Sequence, residues 1–240
     1  MTQHLYEKYY FSKPGYTGGT KPFFDICASN IPRGSEILEI GSGPSNSTTR
    51  TLSKIGPVTG VDINPEVLDN DACVRAEVFD GLRFPFPDDS FDACVSNWVL
   101  EHVADPSTHF SEVARVLRPG GTYCFRTPNL FHYVMLGSRL TPHFLHLGLA
   151  NRLRGLDADA HDPYPTYYRA NTKKRLTSLI DEAGMESILF RLMEPEPSYG
   201  RRHAALFYPM MIYERIVNSS NRLSNFRVVI FGVCTKSERH

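Results

Sequence analysis

At 240 residues, with 41% hydrophobic and 12% aromatic content, the chain can build one sizeable α/β domain with a subdomain. Its 26 basic and 26 acidic side chains cancel, which excludes the broad positive field of a phosphate-backbone reader, so no nucleic-acid partner is expected. The N-terminus lacks the continuous apolar core of a secretory signal, and Leu130 to Ala150, broken by Arg139, three histidines and Pro142, is too polar for a transmembrane segment.

Short apolar runs rich in β-branched residues alternate with helical patterns, which predicts a parallel sheet with helices on both faces. "EILEI" (36–40) is the first strand, and "SNSTTRTLSKI" (45–55) a helix whose start is supplied with hydroxyl and amide caps. "VTGVDI" (58–63) is the second strand, and Asn64 and Pro65 open a further helix. "CVRAEVF" (73–79) and "FDACVSN" (91–97) make the third and fourth strands. Phe110, Val113, Ala114 and Leu117 recur at helical spacing between Pro106 and Leu117, and "RPGG" (118–121) stops that helix. "TYCFRTP" (122–128) is the fifth strand.

The alternation then fails over Asn129 to Ala170, an aromatic, His-, Arg- and Pro-rich insert of the length that lids and binding loops have. It resumes with a helix from Thr172 to Ala183, a strand "ESILFRL" (186–192), a helix near Pro209 to Val217 and a last strand, "FRVVIFGVCT" (226–235). The expected organisation is an N-terminal segment, 1–30, closing a cofactor site; a core, 31–128 and 171–240; and a substrate-binding cap, 129–170. Cys73, Cys94, Cys124 and Cys234 lie in the apolar runs and, with Cys27, read as buried reduced thiols of a cytoplasmic protein.

The chemistry is concentrated in "EILEIGSGPSNSTTR" (36–50). Gly41 and Gly43 end a strand and open a helix, which lets a ligand approach the backbone and meet free N–H groups. Asp62, 23 residues after Glu39, ends the next strand where a carboxylate can accept from two ribose hydroxyls. An NAD-dependent oxidoreductase places an acid similarly, so this pair alone is a weak signal. Two residues favour a different adenosine ligand. Asn46 fills the position of the third glycine of a dinucleotide loop. Glu39 would repel a pyrophosphate but suits an amino-acid ammonium, which a methionine-derived cofactor carries.

Taken together, "EILEIGSGPSNSTTR", "VTGVDIN", "EVFDGLRFPFPDDSFDACVSNWVLEHVADP" and "FSEVARVLRPGGTYCFRTPN" resemble, in order and spacing, class I S-adenosylmethionine-dependent methyltransferases. Within that family the resemblance is to the small-molecule, type 11 branch that includes quinone-biosynthesis enzymes. It is strong over Arg33 to Asn129 and looser over the last two strands. Ser45 departs from the pattern, standing where many members have a further glycine. The resemblance implies a Rossmann-like seven-stranded sheet with its last strand antiparallel, and S-adenosyl-L-methionine as cofactor. It also implies that Glu39, Gly41, Ser42 and Gly43 hold the methionine end, Asp62 and Ile63 the ribose, and Asp80, Gly81 and Leu82 the adenine. Asn97 and Trp98 would floor the reactive methyl. Apart from the resemblance, the N-terminal "YEKYYFSKPGYTGG" offers Tyr10 and Tyr16 to close over the cofactor from the other side.

The implied reaction is methyl transfer to a small-molecule acceptor, a hydroxyl first, with an amine or carbon as alternatives. A sulfonium methyl is already activated, so no metal is needed. His102, in "LEHV", suits deprotonation near neutral pH, and His132, after "RTPNLF", is the other catalytic candidate. Glu101 reads as a helix-surface charge. His143, His146 and His161, with Tyr164, Tyr167, Tyr168 and Arg169, read as a cap lining; His143 and His146 have no companion ligand at a metal-site spacing. A non-catalytic cofactor-binding module is the alternative from another class. Acceptor identity and oligomeric state are open at this level.

Overall fold

The structure, a computed structural model, describes residues 2–140, 164–197 and 204–238. His143, His146 and His161 lie outside them. The strands are β1 (Ile37–Ile40), β2 (Val58–Asp62), β3 (Arg75–Val78), β4 (Phe91–Asn97), β5 (Leu117–Pro128), β6 (Met185–Met193) and β7 (Val229–Lys236). They form one seven-stranded sheet in the order β3-β2-β1-β4-β5-β7-β6. The pairings β3–β2–β1–β4–β5 are parallel and β7 is antiparallel, as the resemblance implied. Because β1 is central and chain order reverses there, its C-terminal end is the crevice where open α/β sheets bind ligands.

The helices are α1 (Gln3–Tyr6), which runs into a π-helical turn over Glu7–Phe11, α2 (Lys21–Asn30), α3 (Ser47–Leu52), α4 (Pro106–Val116), α5 (Tyr133–Leu140), α6 (Lys173–Glu182) and α7 (Ala204–Asn218). Their starts obey local chemistry. Asp105 accepts from the amides of Ser107 and Thr108 with Pro106 in the first turn of α4, and Thr172 caps α6. The helix expected at Asn64–Pro65 is a 3-10 turn, Pro65–Asp69, capped by Asn64. The five cysteines are free. Four are buried, but Cys73 sits in the turn before β3, half-buried, because that strand starts only at Arg75.

The chain folds as two compact units. One comprises Pro22–Pro128, Thr166–Arg191 and Ile230–His240, so α2 belongs to it. Its interior is apolar and aromatic. Phe23 of α2 stacks on Phe231 of β7 with centroids 6.1 Å apart, and Phe110 of α4 meets Tyr123 and Phe125 of β5 edge-on at 5.8 and 6.1 Å. His109 is buried among these rings, and desolvation lowers its pKa to about 4, so it sits there neutral beside the Tyr123 hydroxyl at 3.2 Å.

The other unit comprises Met1–Lys21, Asn129–Pro165 and Leu192–Val229. It is organised on Leu5, Tyr6, Tyr10 and Phe207, with Tyr9, Tyr16 and Met211 against them. Tyr10 donates to Glu214 at 3.0 Å, and Asn129 donates to the carbonyls of Asn225 and Arg227 at 2.6 and 2.8 Å.

Gly232 of β7 is a packing requirement the sequence does not advertise. A methyl there would lie 2.1 Å from the Phe125 ring, deep in the core. Gly232→Ala is therefore expected to cost about 1–3 kcal/mol through overpacking, read as a lowered midpoint of thermal or urea unfolding; an unchanged midpoint would show that Phe125 can step aside.

Candidate cofactor and active site

The site is built on the first βα turn. Gly41 sits at φ 69° and a Cβ there would fall 2.4 Å from Val99 Cγ2, so both backbone conformation and space require glycine. Asn46, the residue that breaks the dinucleotide pattern, turns out to brace the loop. Its Oδ1 accepts from the Thr48 and Thr49 amides at 2.7 and 3.1 Å, capping α3, while its Nδ2 donates back to the Ser42 and Pro44 carbonyls at 2.6 and 3.1 Å. Ser45 is tied outward to Asp71, which also pairs with Arg50 at 2.9 Å.

Asp62 closes the loop from β2. Its Oδ2 accepts from the Gly43 amide at 2.9 Å and its Oδ1 from the Asn64 amide at 2.9 Å. The Phe79 amide donates to the Asp62 carbonyl at 3.0 Å, which brings the next loop alongside. In that loop Asp80 Oδ1 accepts from the Leu82 and Arg83 amides at 2.8 and 2.9 Å, and these bonds hold the carboxyl below its usual range. Gly81 turns at φ 82° with its Cα hydrogen side close to Ile63, and Ile63 and Leu82 leave their apolar side chains exposed, as walls for a flat ring would be.

Two oxygens stand out in the crevice. Glu39, on β1, is 3% exposed, and its Oε2 has no hydrogen-bond partner among the described residues. Burial raises its pKa to about 7, the Thr49 hydroxyl pulls the other way, and the Asp62 charge adds to the rise. Asn97, at the end of β4, donates through Nδ2 to Thr48 Oγ1 at 3.0 Å, and its Oδ1 is likewise buried without a donor. A primary ammonium is the group that satisfies orphan acceptors and a buried carboxylate together. Beside Asn97, Trp98 is held at φ 62°, a strained conformation for a bulky residue, its amide donating to the Arg126 carbonyl at 2.9 Å and its ring lying 4.6 Å from the Arg126 guanidinium.

The predicted residues Glu39, Gly41, Ser42, Gly43, Asp62, Ile63, Asp80, Gly81, Leu82, Asn97 and Trp98 thus all fall in one unit, at the C-terminal ends of β1, β2 and β4 and in the loops after β1, β2, β3 and β4. His102 follows in the 3-10 turn Leu100–His102, half-buried. Tyr10, Tyr16 and His132 belong to the other unit. His132 is 2% exposed, with Nε2 3.2 Å from Glu194 Oε1, and Tyr16 packs against Tyr10 and Phe11.

Sequence reasoning missed Asn70, which is 4% exposed and donates to the Gly43 carbonyl and to Thr49 Oγ1 at 3.1 and 3.0 Å; nothing in "VLDNDA" distinguishes it. It also missed the hub Arg115, which donates to the Phe84 and Phe86 carbonyls and pairs with Glu112 and Asp88, anchoring the chain that follows the Asp80 loop. Glu101 needs correction: it is not a surface charge but 5% exposed, because the turn after β4 folds its side chain inward onto β5.

Residues 38–125 match the family described as "Methyltransferase domain". A demethylmenaquinone methyltransferase of Tropheryma whipplei is 36% identical over 99 residues, covering 38% of this chain and 41% of that protein. The enzyme of the same description from Bacillus licheniformis is 26% identical over 179 residues, 67% of this chain and 75% of that protein. The chain therefore matches well under half the length of the first of these relatives. Among solved structures, an S-adenosylmethionine-dependent methyltransferase of Methanosarcina mazei superposes with a TM-score of 0.57 at 22% identity, covering 89% of this chain and 98% of that one.

Glu39 offers a direct check on the fit. A carboxyl whose folded pKa lies above its unfolded value destabilises the fold as pH rises from the ordinary carboxylate range through about 7. An arriving ammonium favours the ionised form, so binding below that pH must expel a proton. Calorimetry of S-adenosylhomocysteine binding at slightly acid pH, in buffers of different ionisation heat, is expected to show release approaching about one proton per site. Glu39→Gln should abolish the release and weaken binding; proton-neutral binding to the wild type would remove the ammonium from this carboxylate.

Proposed function

On a chain whose core is a class I S-adenosylmethionine-dependent methyltransferase domain, we propose that the protein transfers a methyl group to a small-molecule acceptor presenting a hydroxylated ring. The observation that carries the reading is the buried Glu39 oxygen without a donor, set beside a glycine turn and the Asp62 carboxylate. Glu39 and Asn97 would hold the ammonium of the cofactor, Asp62 its ribose hydroxyls, and the loop of Asp80, Gly81 and Leu82 its adenine. The bound cofactor supplies an electrophilic methyl on a sulfonium sulfur. The chain's own work is to orient the acceptor, exclude water and take up a proton.

The same carboxylate argues against an NAD-dependent oxidoreductase, since the pyrophosphate of a dinucleotide would meet a like charge at low dielectric. The acceptor class is suggested by the relatives described as acting on demethylmenaquinone, whose reduced form is a hydroxylated naphthalene. We assign acceptor selectivity to residues 129–170, and a positioning role to His102 in the turn that follows Trp98.

Purified protein is expected to bind S-adenosylhomocysteine by calorimetry and to convert 1,4-naphthohydroquinone to a methylated product detectable by mass spectrometry. Asp62→Ala should lower cofactor affinity by at least about tenfold, the loss of a charge-assisted hydrogen-bond acceptor. Wild-type protein that binds neither S-adenosylmethionine nor its demethylated product would end the methyltransferase reading. Binding without methylation of the hydroquinone would end only the choice of acceptor.

A further inference from the structure

The turn after β4 buries a second carboxylate that no cofactor contact requires. Glu101 Oε2 accepts from Thr127 Oγ1 at 3.1 Å, and Thr127 Oγ1 in turn accepts from Asn171 Nδ2 at 2.7 Å. The other N–H of Asn171 goes to the Pro128 carbonyl at 3.0 Å, which fixes the amide's orientation. With Asn171 donating to it, the Thr127 hydroxyl spends its one proton on Glu101. Thr127 and Asn171 are 0% and 1% exposed, so this relay is buried. It turns Oε2 toward β5.

The surroundings are equally set. The Glu101 carbonyl accepts from the amides of Tyr167 and Tyr168 at 2.8 and 3.2 Å, and Arg169 donates to the Ala104 carbonyl at 2.5 Å, so the turn is pinned from its far side. The charge that faces the carboxyl is Arg126, next to Thr127 on β5, and it opposes but does not overcome burial, which pushes the Glu101 pKa up to about 7. Three residues before it stands Trp98, and Asn97 pairs in register with Arg126 across β4 and β5. Glu101 therefore belongs to the strand ends that carry the cofactor residues, one turn beyond them.

We propose that Glu101 is the base of the reaction, the carboxylate that takes the proton of the acceptor hydroxyl, with Thr127 and Asn171 as its positioning residues. The assignment rests on the methyl-transfer reading. In the step, the acceptor O–H bond breaks and its proton passes to Glu101. The electron pair left on that oxygen forms the bond to the methyl carbon, and the carbon–sulfur pair returns to sulfur as a neutral thioether. Glu101 then loses its proton to solvent. A group titrating near neutrality suits that cycle, and one permanently ionised at ordinary carboxylate strength would be a weaker base.

The test separates this role from a structural one without depending on turnover. 4-Nitrophenol, whose ionisation is visible by absorbance, is titrated across neutral pH against the protein saturated with S-adenosylhomocysteine. Beside an ionised Glu101 the bound phenol resists deprotonation, so Glu101→Gln is expected to let it ionise about one pH unit or more lower. Unchanged S-adenosylhomocysteine affinity shows that the variant is folded. Identical phenol ionisation in the two proteins, or no perturbation of the phenol by the wild type, would overturn the proposal. With 1,4-naphthohydroquinone as acceptor, the variant should lose about 100-fold in turnover number, and the loss should shrink for more acidic phenols that arrive already ionised. An equal loss for all acceptors would mark Glu101 as structural. If the wild type leaves the hydroquinone unmethylated, the acceptor reading fails while the nitrophenol comparison still decides Glu101.

Discussion

A carboxylate taken out of water without a compensating donor is among the most expensive features a small domain can carry. Glu39 is such a group, on the central strand β1, between β2 and β4, with one oxygen bare of partners among the described residues. The fold tolerates it by letting its pKa climb toward neutrality, and the rest of the crevice is arranged around that oxygen. Gly41 can only be glycine because the backbone must pass Val99 closely, Asn46 pins the turn that follows, and Asn70 holds the Gly43 carbonyl from below. Each of these contacts fixes the distance from Glu39 to whatever occupies the loop.

The same economy shows in how the strands change character along their length. β1 runs Ile37, Leu38, Glu39; β4 runs Ala93, Cys94, Val95 and then Ser96 and Asn97; β5 runs Tyr123, Cys124, Phe125 and then Arg126 and Thr127. The register aligns these changes: Glu39 faces Val95, Ile40 faces Ser96, and Asn97 faces Arg126. The polar residues therefore collect at the C-terminal ends of three interior strands, which is where a parallel sheet leaves helix N-termini and loop amides free to meet a ligand. Strained Trp98 sits at those ends as well, and backbone strain of this kind persists where surrounding contacts over-determine it.

Much of this was legible in the chain. Apolar runs gave all seven strands, with "FDACVSN" matching β4 residue for residue, because buried parallel strands are continuous in hydrophobicity and bounded by turn residues. Boundaries drifted where the pattern continued past the element: β5 begins at Leu117, not Thr122, since Leu117 already pairs with Phe91 and "RPGG" is carried inside the strand as an irregularity before Ala93 and Thr122 resume the register. The cofactor loop was readable because glycine and acid spacing follow from a local strand–turn–helix. Asn70, Arg115 and Glu101 were not, since each depends on a partner 21 to 31 residues away and no periodicity announces such meetings. In "LEHV" the glutamate and histidine are equally polar by sequence, and only the inward turn of the chain onto Thr127 distinguishes a buried acid from a surface one.

Glu39 and Glu101 end with the same elevated pKa for the same first cause, burial. Their chemistry is nevertheless different, and the hydrogen-bond inventory says why. Glu39 lies beside Asp62, a like charge, under a loop of backbone amides, so the neighbourhood gains by admitting a cation. Glu101 lies beside Arg126, an opposite charge, and already draws a hydroxyl proton from Thr127, so a further cation would be repelled while a neutral O–H donor would be welcomed. One buried acid is thus suited to anchoring an ammonium and the other to receiving a proton, and β4, passing between β1 and β5, keeps the two tasks apart.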